Sequence, residues 1–150
     1  MCRVSKYSLV CEKVATYSTE QTALHSPDDV AEFLVRTVGT DGLMTEHFFV
    51  FCLNTRCRVI GFFDIASGCI DGCPVHPREV FQPAVAMPKT AAIIVAHNHP
   101  SGYPRPSEED LDVTKRLVSA GRLLGIKVLD HVVVGDGIWC SLKQGGFAEF

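Results

Sequence analysis

Thr90-Ala91-Ala92-Ile93-Ile94-Val95-Ala96-His97-Asn98-His99-Pro100 decides the fold of this chain, because an apolar, β-branched run passes directly into two histidines and then a proline. The run up to Ala96 reads as a buried strand. Side chains alternate faces along a strand, so His97 and His99 point one way and Asn98 the other. Pro100 has no amide to offer a sheet and ends the strand, and Ser101-Gly102-Tyr103-Pro104-Arg105-Pro106 is loop. Ser107-Glu108-Glu109-Asp110 then opens a helix. Ser107 is a natural N-cap, and Asp110 falls at N3 beside unpaired backbone amides. Leu111, Leu117, Val118 and Leu124 make one apolar stripe before Gly125, which suits a C-terminal cap. A strand end and a helix start thus converge, carrying two imidazoles and a carboxylate. Zinc takes imidazole nitrogen and carboxylate oxygen at ~2.0–2.2 Å, and its catalytic sites keep three protein ligands and one open position. His97, His99 and Asp110 are the expected ligands of such an ion. Alone, His-x-His or Ser-x-x-Asp is an ordinary strand end or helix cap; their conjunction across a Pro-Gly loop points to metal.

Outward from this core, Glu46 to Leu53 and Val59 to Ile65 flank Asn54-Thr55-Arg56-Cys57-Arg58 and read as an antiparallel hairpin with a longer turn. Ser26-Pro27-Asp28-Asp29 supplies an N-cap, a first-turn proline and first-turn acids. Val30, Phe33, Leu34, Thr37 and Val38 then repeat at helical spacing until Gly39. Tyr7 to Ala15 reads as a leading strand and Ser67 to Cys73 as turn. Pro77 to Met87 reads as a helix with Val80, Phe81, Ala84 and Val85 inward, bent or divided at Pro83. Lys127 to Val134 is a strand, Gly135-Asp136-Gly137 a turn, and Ile138 to Leu142 a closing strand. The sum is an α/β chain of the α+β type, a mixed β-sheet flanked by helices.

A chain of 150 residues buries about 70% of its unfolded surface, enough for one core without staples. The seven cysteines, at 2, 11, 52, 57, 69, 73 and 140, are odd in number and irregular in spacing. With no signal peptide or long apolar segment, they are expected as reduced thiols in a cytoplasmic protein without a membrane span. Cys69 and Cys73 have the spacing of half a zinc finger, but no second pair accompanies them, so they are expected as loop cysteines. His25, His47, His76 and His131 are expected in structural hydrogen bonds. The net charge is −3, and Lys115, Arg116 and Arg122 are scattered over a helix rather than gathered into a basic face. Direct binding to nucleic acid is therefore not expected.

His-x-His-Pro, six intervening residues, Ser, two residues and Asp resembles the JAMM metalloprotease motif of MPN-type domains, complete here as His97, His99, Pro100, Ser107 and Asp110. The flanking blocks His76-Pro77-Arg78-Glu79-Val80-Phe81, Ala96 to Gly102 and Leu129-Asp130-His131 resemble the RadC-like branch. The resemblance covers 25–150 and leaves 1–24 as a short N-terminal extension. It implies an MPN/JAMM (cytidine-deaminase-like) core. It also implies a general base near the start of the first core strand, matched by Glu46, with Glu79 the second candidate. Ser107 would donate to the developing oxyanion, a role that lowers a barrier by ~3–4 kcal/mol, against ~1 kcal/mol for an N-cap. The function so implied is a zinc-dependent hydrolase that uses Zn2+ to activate a water and cleaves a peptide or isopeptide amide of a protein or peptide substrate. The alternative is a non-catalytic, zinc-bearing interaction module tied to DNA repair or mobile elements. Longer members of the branch carry a helical domain of a DNA-contacting type ahead of the core, and 150 residues leave no room for one.

Overall fold

The computed structural model describes residues 12–17, 24–68 and 75–150. Its elements run α1 (Pro27–Phe33), β1 (His47–Leu53), β2 (Val59–Ser67), α2 (Pro77–Ala86), β3 (Ala92–Asn98), α3 (Glu108–Leu124), β4 (Lys127–Gly135) and β5 (Ile138–Ser141). The expected mixed sheet with helices on both faces is present. β1 and β3 are apolar nearly throughout, a pattern that requires cover on both faces, and both lie inside the sheet, whose order is β2-β1-β3-β4-β5. Neighbours are antiparallel except β3 and β4, which are parallel. A parallel pair needs a long crossover, and α3 supplies it.

Alternation along the strands divides the core. Phe49, Phe51, Ile94, Ala96 and Val132 face α1, which contributes Val30, Ala31 and Phe33. Val50, Ile93, Val95 and Val128 face α2 and α3, which contribute Val80, Phe81, Leu117 and Val118. Gly121 brings α3 close to β4 and α2: a Cβ built there would lie 2.5 Å from the Ile126 carbonyl oxygen and 3.2 Å from Phe81 Cζ. No helix among the described residues is long and apolar enough to cross a membrane.

Several expectations are corrected. Glu12 to Ala15 forms no strand, and 7–11 lie outside the described residues. Val14 is 94% exposed, so this stretch has no apolar face to bury, while Tyr17 sets its ring against Phe33 and Phe62. Of the expected turn after β2, Cys69 to Cys73 lies outside the described residues. The helix after Ser26 ends in a wider π turn over Leu34–Val38, closed by the Gly39 amide donating to the Leu34 carbonyl at 2.9 Å. α2 runs undivided through Pro83. Val85, expected inward, is 60% exposed, because it lies one helical step of about 100° past Ala84 and off the buried stripe. Leu124 is 51% exposed; it sits in the last turn of α3, where the chain reverses at Gly125 and Ile126 is buried instead.

Candidate metal centre

The site begins at the C-terminal end of β3. His97 pairs with Phe48 of β1 on one side and Val133 of β4 on the other, is fully buried, and stacks on the Phe48 ring at 5.9 Å. His99 follows just beyond the strand. Its amide donates to the Val134 carbonyl at 2.8 Å and its ring Nδ1 lies 2.7 Å from the Tyr103 carbonyl oxygen. A carbonyl only accepts, so Nδ1 carries a proton. Asn98 points to the opposite face, as alternation requires. Its Oδ1 accepts from the His47 amide at 2.8 Å and its Nδ2 donates to the Thr45 carbonyl at 3.0 Å. These two backbone groups flank Glu46, so the side chain set between the two histidines holds the backbone on either side of that carboxylate.

The fourth group comes from α3. Ser107 caps the helix by accepting from the Asp110 amide at 3.1 Å, and Asp110 returns the contact by accepting from the Ser107 amide at 2.7 Å. This box points the Asp110 carboxylate back toward β3. His97 Nε2 lies 2.9 Å from His99 Nε2 and 3.2 Å from Asp110 Oδ1, and His99 Nε2 lies 3.4 Å from Asp110 Oδ2. Bonds of ~2.0–2.1 Å to a tetrahedral ion imply donor separations of about 3.3 Å, so these three groups have the spacing of zinc ligands. Glu46 Oε1 stands farther out, 4.0 Å from His97 Nε2. One ligand atom from each of Glu46, His97, His99 and Asp110 lies within 4.8 Å of the others, a group able to hold a metal ion.

The electrostatics favour a cation. Burial alone would raise the Asp110 pKa, but the His97 and His99 rings beside it, with the Ser107 amide, outweigh it and hold the carboxyl far below the usual range. Burial would lower His99, yet its contacts with the Asp110 carboxylate and the Tyr103 carbonyl raise it. The carboxylate is thus kept ionised beside a His99 ring that favours positive charge.

The remaining sequence candidates divide. Ser107 is beside the cluster, its hydroxyl donating to Asp110 Oδ2 at 2.8 Å. Glu79 is outside it: its carboxylate accepts from the His76 amide at 3.4 Å and caps α2 together with His76 Nδ1. His47 is hydrogen-bonded to Asp64 and Thr45, at 2.7 and 3.1 Å. His131 does make structural hydrogen bonds, but its partner is His97, at 2.8 Å. Sequence reading missed that partnership. A register shift between Ile93 and Ile94 leaves Leu129 as an extra residue in β4, and this bulge puts His131 on the same face as Val128. The one available signal was Asp130-His131 standing in an otherwise apolar strand. Asp130 is fully buried, and burial raises its pKa against the donors Ser141, Lys143 and His131. A cavity of about 210 Å³ adjoins the centre, sharing His99 with it and bounded by Asp41, Pro100, Gly102 and Asp136.

Residues 24–147 match the family model described as a RadC-like JAB domain. The chain is 47% identical over 131 residues to a UPF0758 protein of Caldanaerobacter subterraneus, covering 87% of this chain and 55% of that one. It is 44% identical over 132 residues to one of Moorella thermoacetica, covering 88% and 56%. With one of Shouchella clausii it shares 48% identity over 124 residues, covering 83% and 53%. The chain spans about half the length of these curated relatives.

Proposed function

The chain belongs to the RadC-like JAB domain family, and from that premise we propose that it is a zinc-dependent hydrolase cleaving a peptide or isopeptide amide. The observation that carries the reading is the convergence of His97, His99 and Asp110 at ligand spacing, with Glu46 one step farther out. A purely structural metal site has no use for that outer carboxylate. His97, His99 and Asp110 would hold the zinc ion, which when bound would supply Lewis acidity to polarise the amide carbonyl and lower the pKa of water to about 7.

The residues of the chain do the rest. Glu46, 24% exposed and reachable by solvent, takes a proton from the attacking water as the new C–O bond forms. It then delivers that proton to the nitrogen as the C–N bond breaks, leaving a free amine and a carboxylic acid, which ionises to water. Ser107 donates to the carbonyl oxygen as it gains charge, and for this its hydroxyl turns from Asp110 Oδ2 to the substrate. The cavity beside His99 receives the chain next to the cleaved bond.

Wild-type protein and Glu46→Gln are to be compared for zinc content and for cleavage across peptide and isopeptide panels. The expected result is equal zinc and loss of cleavage in the variant. Zinc retention with no cleavage by either protein would favour the rival reading, a metal-bearing interaction module.

A further inference from the structure

Beneath His97 runs a line of hydrogen bonds that ends on the backbone of Asp110. His97 Nδ1 lies 2.8 Å from His131 Nε2, and His131 Nδ1 lies 2.7 Å from Thr114 Oγ1. The Thr114 hydroxyl lies 2.6 Å from the Asp110 carbonyl oxygen. His97, His131 and Thr114 are all fully buried. The final contact fixes the direction of every other one. A backbone carbonyl cannot donate, so the single hydroxyl proton of Thr114 goes to Asp110. The threonine oxygen is then the acceptor for His131 Nδ1–H. His131 meets a histidine nitrogen and a hydroxyl, with no counterion among the hydrogen-bond partners described, so a buried imidazolium there is disfavoured and the ring is neutral. A neutral ring has one proton, already placed on Nδ1; its Nε2 therefore accepts from His97 Nδ1–H. His97 in turn is left with a bare Nε2, the atom 3.2 Å from Asp110 Oδ1 and 2.9 Å from His99 Nε2.

We propose that Thr114 and His131 are positioning residues that set the tautomer of His97, so that its Nε2 lone pair is presented to the metal centre. The inference rests on reading His97, His99 and Asp110 as ligands. Metal-bound histidines commonly donate their second ring N–H to an outer partner, and loss of that partner costs about 10–100-fold in affinity. Here the partner is another histidine, and its own proton is placed by a residue on the helix that carries the third ligand. His99 is set separately, by the Tyr103 carbonyl at 2.7 Å, so a fault in the line reaches His97 alone. The bulge at Leu129 is what gives the line its middle member, by turning His131 toward α3.

Thr114→Val tests this with little change of shape. Without the threonine oxygen, His131 loses the acceptor for Nδ1–H, its proton moves to Nε2, and that N–H donates to His97 Nδ1. The His97 proton is driven onto Nε2, the ligand atom. Two measurements are made on wild type, Thr114→Val and Thr114→Ser. Long-range 1H–15N spectra of metal-free protein with 15N-labelled histidine report each tautomer, and competition titration with Zn2+ reports affinity. The expected result is Nδ1–H for His97 in wild type and Thr114→Ser, Nε2–H in Thr114→Val, and zinc affinity about 10–100-fold weaker in Thr114→Val alone. His97 found as Nε2–H in wild type, or an unchanged tautomer and affinity in Thr114→Val, would overturn the proposal. A wild type that shows the expected tautomer but binds no zinc would instead overturn the metal-centre reading.

Discussion

Asp110→Asn separates the helix cap that Asp110 makes from the metal ligation proposed for it. One oxygen accepts from the Ser107 amide and hydroxyl at 2.7 and 2.8 Å, and the other lies 3.2 Å from His97 Nε2. An asparagine oxygen can keep the capping contact, while its NH2 group faces the bare His97 nitrogen. Stability without metal should therefore fall by no more than the ~1 kcal/mol of a weakened cap. Metal binding is a different matter, because a neutral amide replaces a carboxylate ligand. Zinc at one hundred times its dissociation constant stabilises a native state by about 2.7 kcal/mol. At ~2–4 °C per kcal/mol for a chain of this size, the wild type should melt about 5–11 °C higher with zinc than without. Asp110→Asn should lose that increment while its metal-free melting temperature stays within a few degrees. Glu46→Gln should keep most of the increment, since Glu46 stands 4.0 Å out, beyond ligand spacing. The assay is a thermal melt with and without zinc, backed by metal analysis after dialysis. A full zinc increment in Asp110→Asn would refute the ligand assignment.

Ser107→Ala should cost ~1 kcal/mol of stability through the lost cap to the Asp110 amide, and should slow cleavage of an identified substrate by ~10²–10³-fold; an unslowed rate would remove the oxyanion role. Gly121→Ala gains about 1 kcal/mol of helix propensity but sets a methyl 2.5 Å from the Ile126 carbonyl oxygen, just before β4 begins. Overpacking costs ~1–3 kcal/mol, so urea unfolding should show a net loss of about 1 kcal/mol, and a stabilised variant would contradict the close packing of α3 on β4. Asp29 closes the capping box of α1: burial raises its pKa, but the amides of His25 and Ser26 outweigh that and lower it. Because the folded pKa lies below the unfolded one, the contribution is full above the unfolded value of ~3.9 and is lost as pH falls through the folded value. Asp29→Ala should thus cost ~1 kcal/mol at pH 7, with the difference from wild type narrowing below pH ~3.9; a constant difference would place the effect elsewhere.

What could be read from the sequence is what is encoded locally. His97, His99 and Asp110 were legible because strand alternation and helix capping, each confined to a few residues, aim those side chains. Glu46 was reachable only through family resemblance, since it is brought to the centre by the long-range pairing of β1 with β3. Alternation turned Asn98 away from the histidines but could not name Thr45 and His47 as what it holds. Val85 and Leu124 were misplaced because a periodic stripe says nothing of where the layer beneath a helix ends.

His131 shows the limit most sharply. Strict alternation puts Val128 and His131, three residues apart, on opposite faces, and only the extra residue at Leu129 puts them on the same one. A bulge has no reliable mark in a run of β-branched residues, so the residue that meets His97 reads as one more strand position. The parallel β3-α3-β4 crossover gives this displacement its use. It sets the end of β3, the first turns of α3 and the middle of β4 side by side, so Asp110 and His131 reach His97 directly and Thr114 reaches it through His131. The motif places the candidate ligands, but crossover and bulge decide what each nitrogen of His97 meets.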